Sequence, residues 1–126
     1  MKSILIVGIG GFFGSIIRYV IGLSFYNDKL ANIPYKIILV NLIGCFLIGI
    51  LANSLSQEKE LSKLLLITGF LGGFTTFSSF GLEAVTLISN HNTIGALVYI
   101  LMSVVGGLLA VLLGMVIIQV VQGRGF

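Results

Sequence analysis

The side chains whose types and spacing could do chemistry are hydroxyls, aromatic rings, the Asn41 amide, the Arg18 guanidinium and the Glu83 carboxylate, all set within long apolar runs. Thr76, Ser79 and Glu83 recur at i, i+3 and i+7, the spacing of one polar row on a helix. Phe77 and Phe80 form an adjacent row one turn apart, and Tyr99, Ser103 and Gly107 repeat at i, i+4. Hydroxyls and amides donate hydrogen bonds, and a phenyl ring presents a positive edge. Rows of donors and ring edges, with the Asn41 amide beside them and Arg18 toward the mouth, suit a small dehydrated anion. A cation path calls for rings of carboxylates, which this sequence lacks. Core packing would account for the phenylalanines taken alone, but not beside the hydroxyl row.

These residues need elements to hold them, and the composition says where those elements lie. Of the 126 residues, 57% are hydrophobic and 9% are charged, with a mean hydropathy of +1.17. A soluble domain carries about 25% charged residues, so this chain reads as an integral membrane protein of one domain, residues 1–126. The net charge of +3 is scattered, with no basic run for a nucleic acid. Cys45 and His91 are each single. That excludes an intrachain disulfide and a multi-cysteine metal site, and no nucleophile–base pair suggests an enzyme. The apolar start after Lys2 has no small-residue cleavage site and reads as a membrane helix, not a removed leader.

A helix needs about 20 apolar residues to cross a bilayer. Four segments qualify, at about 4–25, 37–55, 64–89 and 94–121. The linker 26–34 holds the one proline, Pro34, just ahead of the second span, and Asn90-His91-Asn92 makes a tight turn before the fourth. On this register Arg18, Asn41, Glu83 and Tyr99 fall roughly 6–10 Å below one membrane face, one from each span. Marking an ion path is one reading of polar residues at such depth; an Arg18–Glu83 ion pair tying two helices together is the other. Four spans place Lys2, Lys59, Lys63 and Arg124 on one side and Lys29 and Lys36 on the other. So small a bias is compatible with insertion in both orientations and hence with an antiparallel dimer.

The third span is the anomaly. Gly69, Gly72 and Gly73 each weaken a helix by about 1 kcal/mol relative to alanine. The hydroxyls of Thr75, Thr76, Ser78 and Ser79 then offer the backbone other partners. The expectation is an all-α protein of four transmembrane helices, the third broken near mid-membrane at Gly72–Thr75. Unwound backbone at that depth belongs inside protein or beside a cavity, where its carbonyls could hold a hard cation such as Na⁺. Gly10 and Gly14, Gly69 and Gly73, and Gly106, Ala110 and Gly114 stand four apart, as in closely packed membrane helices.

Three motifs, in order, carry a family resemblance. They are Gly10-Gly11-Phe12-Phe13-Gly14-Ser15-Ile16-Ile17-Arg18-Tyr19, Asn41-Leu42-Ile43-Gly44-Cys45-Phe46-Leu47-Ile48-Gly49, and Gly69-Phe70-Leu71-Gly72-Gly73-Phe74-Thr75-Thr76-Phe77-Ser78-Ser79-Phe80. Together, over the whole length, they resemble the bacterial fluoride channel family, Fluc or CrcB. The resemblance implies a fluoride-selective passive channel of the bacterial inner membrane that relieves fluoride toxicity. It also implies an antiparallel, dual-topology homodimer with two fluoride pathways. By the same resemblance a structural Na⁺ sits on the dimer axis, held by the Gly72 and Thr75 carbonyls. Phe77, Phe80 and Asn41 line the pore, and Ser78, Ser79 and Ser103 form a hydroxyl track beside Tyr99. Thr76 joins that lining from the polar row already described. Arg18 takes the basic vestibule position, and Glu83 the acidic one past the second phenylalanine. Gly107 departs from the pattern by offering no hydroxyl after Ser103. A proton-coupled exporter of the small multidrug-resistance kind is the competing reading, but the first span has no acid and the chain no tryptophan. A non-transporting scaffold leaves the polar rows unexplained.

Overall fold

The computed structural model describes residues 1–24, 33–55 and 59–123. Most of the expected linker 26–34, much of the loop 56–60 and the tail with Arg124 lie outside these. The described residues are helical throughout apart from short turns: α1 (Lys2–Ser24), α2 (Tyr35–Ser54), α3 (Glu60–Lys63), a π-helical segment (Leu64–Leu71), α4 (Gly72–Phe74), α5 (Phe77–Ser89) and α6 (Thr93–Val121). Four stretches are long and apolar enough to cross a membrane: Lys2–Ser24, Tyr35–Ser54, Glu60–Ser89 and Thr93–Val121. They match the expected spans to within about a turn. Pro34 immediately precedes α2. Asn92 caps α6 by accepting from the Gly95 N–H at 3.0 Å, after a turn in which His91 takes φ 58°.

The spans pair through glycine. A side chain at Gly10 would meet the Leu65 carbonyl and the Phe70 N–H, and one at Gly14 would meet the Phe70 carbonyl and the Phe74 N–H. The first span therefore lies backbone to backbone on the π segment and α4. Gly49 faces Val111 and Met115, and Gly114 faces Phe46 and Ile50, so α2 and α6 run parallel at the same close range. Small residues permit such approach where lipid supplies no hydrophobic driving force. Gly106 lies on the same α2–α6 seam, but against the Leu42 side chain instead of backbone. The core is small. Ile38, Ala84, Leu87, Ala96 and Tyr99 form one buried cluster, and Val40, Leu71 and Phe74 another. Much of the remaining apolar surface points outward, including Phe12, Phe13 and Phe77, as expected of helices facing lipid or a second chain.

This packing makes a direct prediction. Gly14→Ala forces α1 off the third span, an overpacking cost of about 1–3 kcal/mol. Gly8 has no atom within 4 Å of where a Cβ would stand, so Gly8→Ala should be neutral. Thermal unfolding in detergent checks the pair: the first variant should melt well below the parent and the second with it.

Candidate functional site

The third span breaks at its midpoint, but two residues later than its glycines suggest. Gly69, Gly72 and Gly73 all stay helical. Contact of Gly69 and Gly73 with α1 holds the stretch in place and overrides its weak propensity. The break is Thr75 (φ −81°, ψ 156°) and Thr76 (φ −146°, ψ 111°), both extended. Each uses its hydroxyl to finish a helix end. Thr75 donates both its N–H (3.0 Å) and its Oγ1–H (2.9 Å) to the Leu71 carbonyl, closing α4. Thr76 Oγ1 accepts from the Ser79 N–H at 3.2 Å, capping α5, and donates to Ser79 Oγ at 3.0 Å. Thr76 is thus the cap of the helix and not, as its spacing suggests, a member of a continuous helical row with Ser79 and Glu83.

Two long-range side chains hold the break. The Asn41 amide brackets Thr76: Oδ1 accepts from the Thr76 N–H at 2.9 Å, and Nδ2 donates to the Thr76 carbonyl at 3.3 Å. Arg18 Nε donates to the Gly73 carbonyl at 3.1 Å. Arg18 therefore reaches the break itself, and among the described residues it forms no ion pair with Glu83. Half-buried Glu83 lies on α5 beyond Phe80.

The backbone donors around the break are redirected. The Thr76 N–H, which a continuous helix would give to the Gly72 carbonyl, goes to Asn41. The Ser79 N–H, due to the Thr75 carbonyl, goes to Thr76 Oγ1. The carbonyls of Gly72 and Thr75 are both released from the helical ladder. Gly72 is exposed, with no atom within 4 Å of where a Cβ would stand.

Two cavities meet at the break. The larger, about 460 Å³, is lined by Asn41, Gly72, Thr75, Thr76, Phe77, Phe80, Ser103 and Gly107, with Cys45 and aliphatic residues of α2 and α6. The smaller, about 310 Å³, is lined by Arg18, Tyr19, Gly22, Leu23, Lys36, Ile37, Val40, Thr76 and Ser79. Thr76 belongs to both walls. The Phe77 and Phe80 rings stand 5.4 Å apart at 43°, and Phe80 lies on Tyr99 at 5.5 Å and 26°. Tyr99 is fully buried behind Phe80. Its hydroxyl and that of Ser103 are buried with no hydrogen-bond partner among the described residues. Ser78 is exposed, 3.3 Å from the Thr76 hydroxyl.

The sequence of which this geometry is built matches a family model over residues 5–115, described as CrcB-like protein, Camphor Resistance (CrcB). The chain belongs to the CrcB family. Curated relatives named fluoride-specific ion channel FluC include one from Azobacteroides pseudotrichonymphae, 41% identical over 122 residues, which are 94% of this chain and 98% of the relative. Another, from Chloroflexus aurantiacus, is 44% identical over 117 residues, 90% of this chain and 93% of its own length. A third, from Rhizobium meliloti, is 40% identical over 122 residues, 94% and 98% of the two chains. This CrcB family member is a multi-pass integral membrane protein, with four spans apolar enough to cross the bilayer.

Of the side chains singled out by sequence, the structure gathers Asn41, Thr76, Phe77, Phe80 and Ser103 on one cavity and Arg18 and Ser79 on the other. Tyr99 stands one ring behind the wall, and Ser78 and Glu83 line neither cavity. Sequence reasoning missed Lys36, which it counted only as a loop charge. The available signal was its position in the first turn of α2, where a cation opposes the helix dipole.

Proposed function

We propose that this chain is a fluoride-selective channel giving passive fluoride efflux across a bacterial inner membrane. The observation that carries the reading is the buried Ser103 hydroxyl, unpartnered among the described residues, on the wall of the same cavity as the paired rings of Phe77 and Phe80. An unpaired buried hydroxyl costs about 1–3 kcal/mol, and a passing anion relieves that cost. Fluoride is small and a strong hydrogen-bond acceptor, so donors that stand unpaired favour it over larger halides. The names of the relatives point the same way.

Arg18 offers charge at one side of the break, Thr76 and Ser79 offer hydroxyls, and Phe77 and Phe80 offer ring edges in place of water. Asn41 uses one amide hydrogen on the Thr76 carbonyl and keeps a second for the cavity it lines. No step needs a proton gradient.

The functional unit is an antiparallel homodimer inserted in both orientations. Its support is Phe77, 83% exposed in the single chain at the middle of a span, and the small charge bias between the two membrane sides. A structural Na⁺ fits the break: the Gly72 and Thr75 carbonyls are released from the ladder, and oxygen donors suit a hard cation. Bound there, the ion would supply a fixed charge that holds the Gly72 and Thr75 carbonyls in their unwound arrangement.

The test is fluoride efflux from liposomes at neutral pH. The rate should be unchanged when a proton gradient is imposed, and should fall when the protein is purified and assayed without Na⁺. Efflux that follows the proton gradient points to an exporter; indifference to Na⁺ removes the cation from the break.

A further inference from the structure

We infer that Lys36 is a second anion-collecting residue of this channel, drawing small anions out of water onto the Thr76 and Ser79 hydroxyls; the inference rests on the fluoride reading above. Lys36 and Arg18 share the 310 Å³ cavity, and among the described residues no acid lines it. Two like charges in one small cavity repel unless an anion lies between them.

Arg18 is anchored through Nε to the Gly73 carbonyl, a neutral partner, and forms no ion pair among the described residues. Half-buried Lys36 has no ion-pair or hydrogen-bond partner among the described residues. It also stands in the first turn of α2, which has no acid there. The helix dipole is positive at that end, so a lysine is placed against its own helix. A snorkelling lysine would gain as much one turn away. Arg18, Lys36 and the start of α2 therefore put three positive contributions around one cavity, whose polar inner wall is Thr76 and Ser79. Because Thr76 also lines the larger cavity, an anion gathered by Lys36 is delivered to the phenylalanine wall.

The experiment is single-channel or ensemble conduction in a bilayer of zwitterionic lipid, which removes lipid surface charge. At about 10 mM fluoride, where the Debye length is about 30 Å, Lys36→Gln should conduct about three- to tenfold less than the parent. In about 1 M potassium gluconate, where that length is about 3 Å, the two should converge. Lys36→Arg should track the parent in both. Lys63→Gln removes the same charge from a residue that lines neither cavity and should do so too. Equal conduction by parent and Lys36→Gln at low salt overturns the inference. So does a loss of the same fraction at both salt levels, which would mark a structural role. A parent protein silent toward fluoride overturns the channel reading and this inference with it. A conducting parent with a salt-indifferent Lys36→Gln overturns this inference alone.

Discussion

Replacing Phe80 with isoleucine is expected to lower fluoride flux at least about tenfold, equivalent to about 1.4 kcal/mol along the path, while the protein still folds and dimerises. Phe80 is the one ring in contact with both others, 5.4 Å from Phe77 and 5.5 Å from Tyr99. It lies on the wall of the larger cavity, with the Tyr99 ring packed behind it. Isoleucine fills similar space, so a half-buried site tolerates it, but it has no positive edge to offer an anion. Flux from liposomes, with gel filtration and melting temperature as controls for folding, decides the point. Normal flux in Phe80→Ile would remove the ring from the pathway.

Asn41 supports the second large effect, because one side chain serves both the fold and the cavity. Asn41→Ala leaves the Thr76 N–H and carbonyl without their bracket. Each orphaned group costs about 1–3 kcal/mol, so the variant should melt markedly lower and lose flux. Asn41→Asp separates the two roles. It still accepts from the Thr76 N–H but cannot donate, and it sets a negative charge on the wall of the cavity. The expected outcome is a protein more stable than Asn41→Ala that conducts no better. Flux in Asn41→Asp at the parental level would show that the amide faces no anion.

Much of this was legible in sequence. Apolar length alone located the spans, so that the fourth, read at about 94–121, is Thr93–Val121. Hydroxyls after glycines located the break to within two residues. What shifted it was packing that no local rule contains: Gly69 and Gly73 stay helical because α1 lies against them. The π winding of Leu64–Leu71 left no sequence signal. Nor did the destination of Arg18. Its partner is a backbone carbonyl 55 residues away, and side-chain chemistry alone pointed to Glu83. Tyr99 and Ser103 were read correctly as neighbours on one helix face. That Tyr99 would lie behind Phe80 depended on how α5 meets α6. Lys36 was visible as a charge but not as a wall, because the cavity it lines is made by α1, α2 and the break together.

The measurement that bears most directly on the whole account is anion efflux from liposomes under a potassium diffusion potential, fluoride and chloride followed in parallel at equal pH on both sides. The account predicts rapid fluoride efflux with chloride retained. Chloride leaving as fast as fluoride, or neither leaving at all, would contradict it.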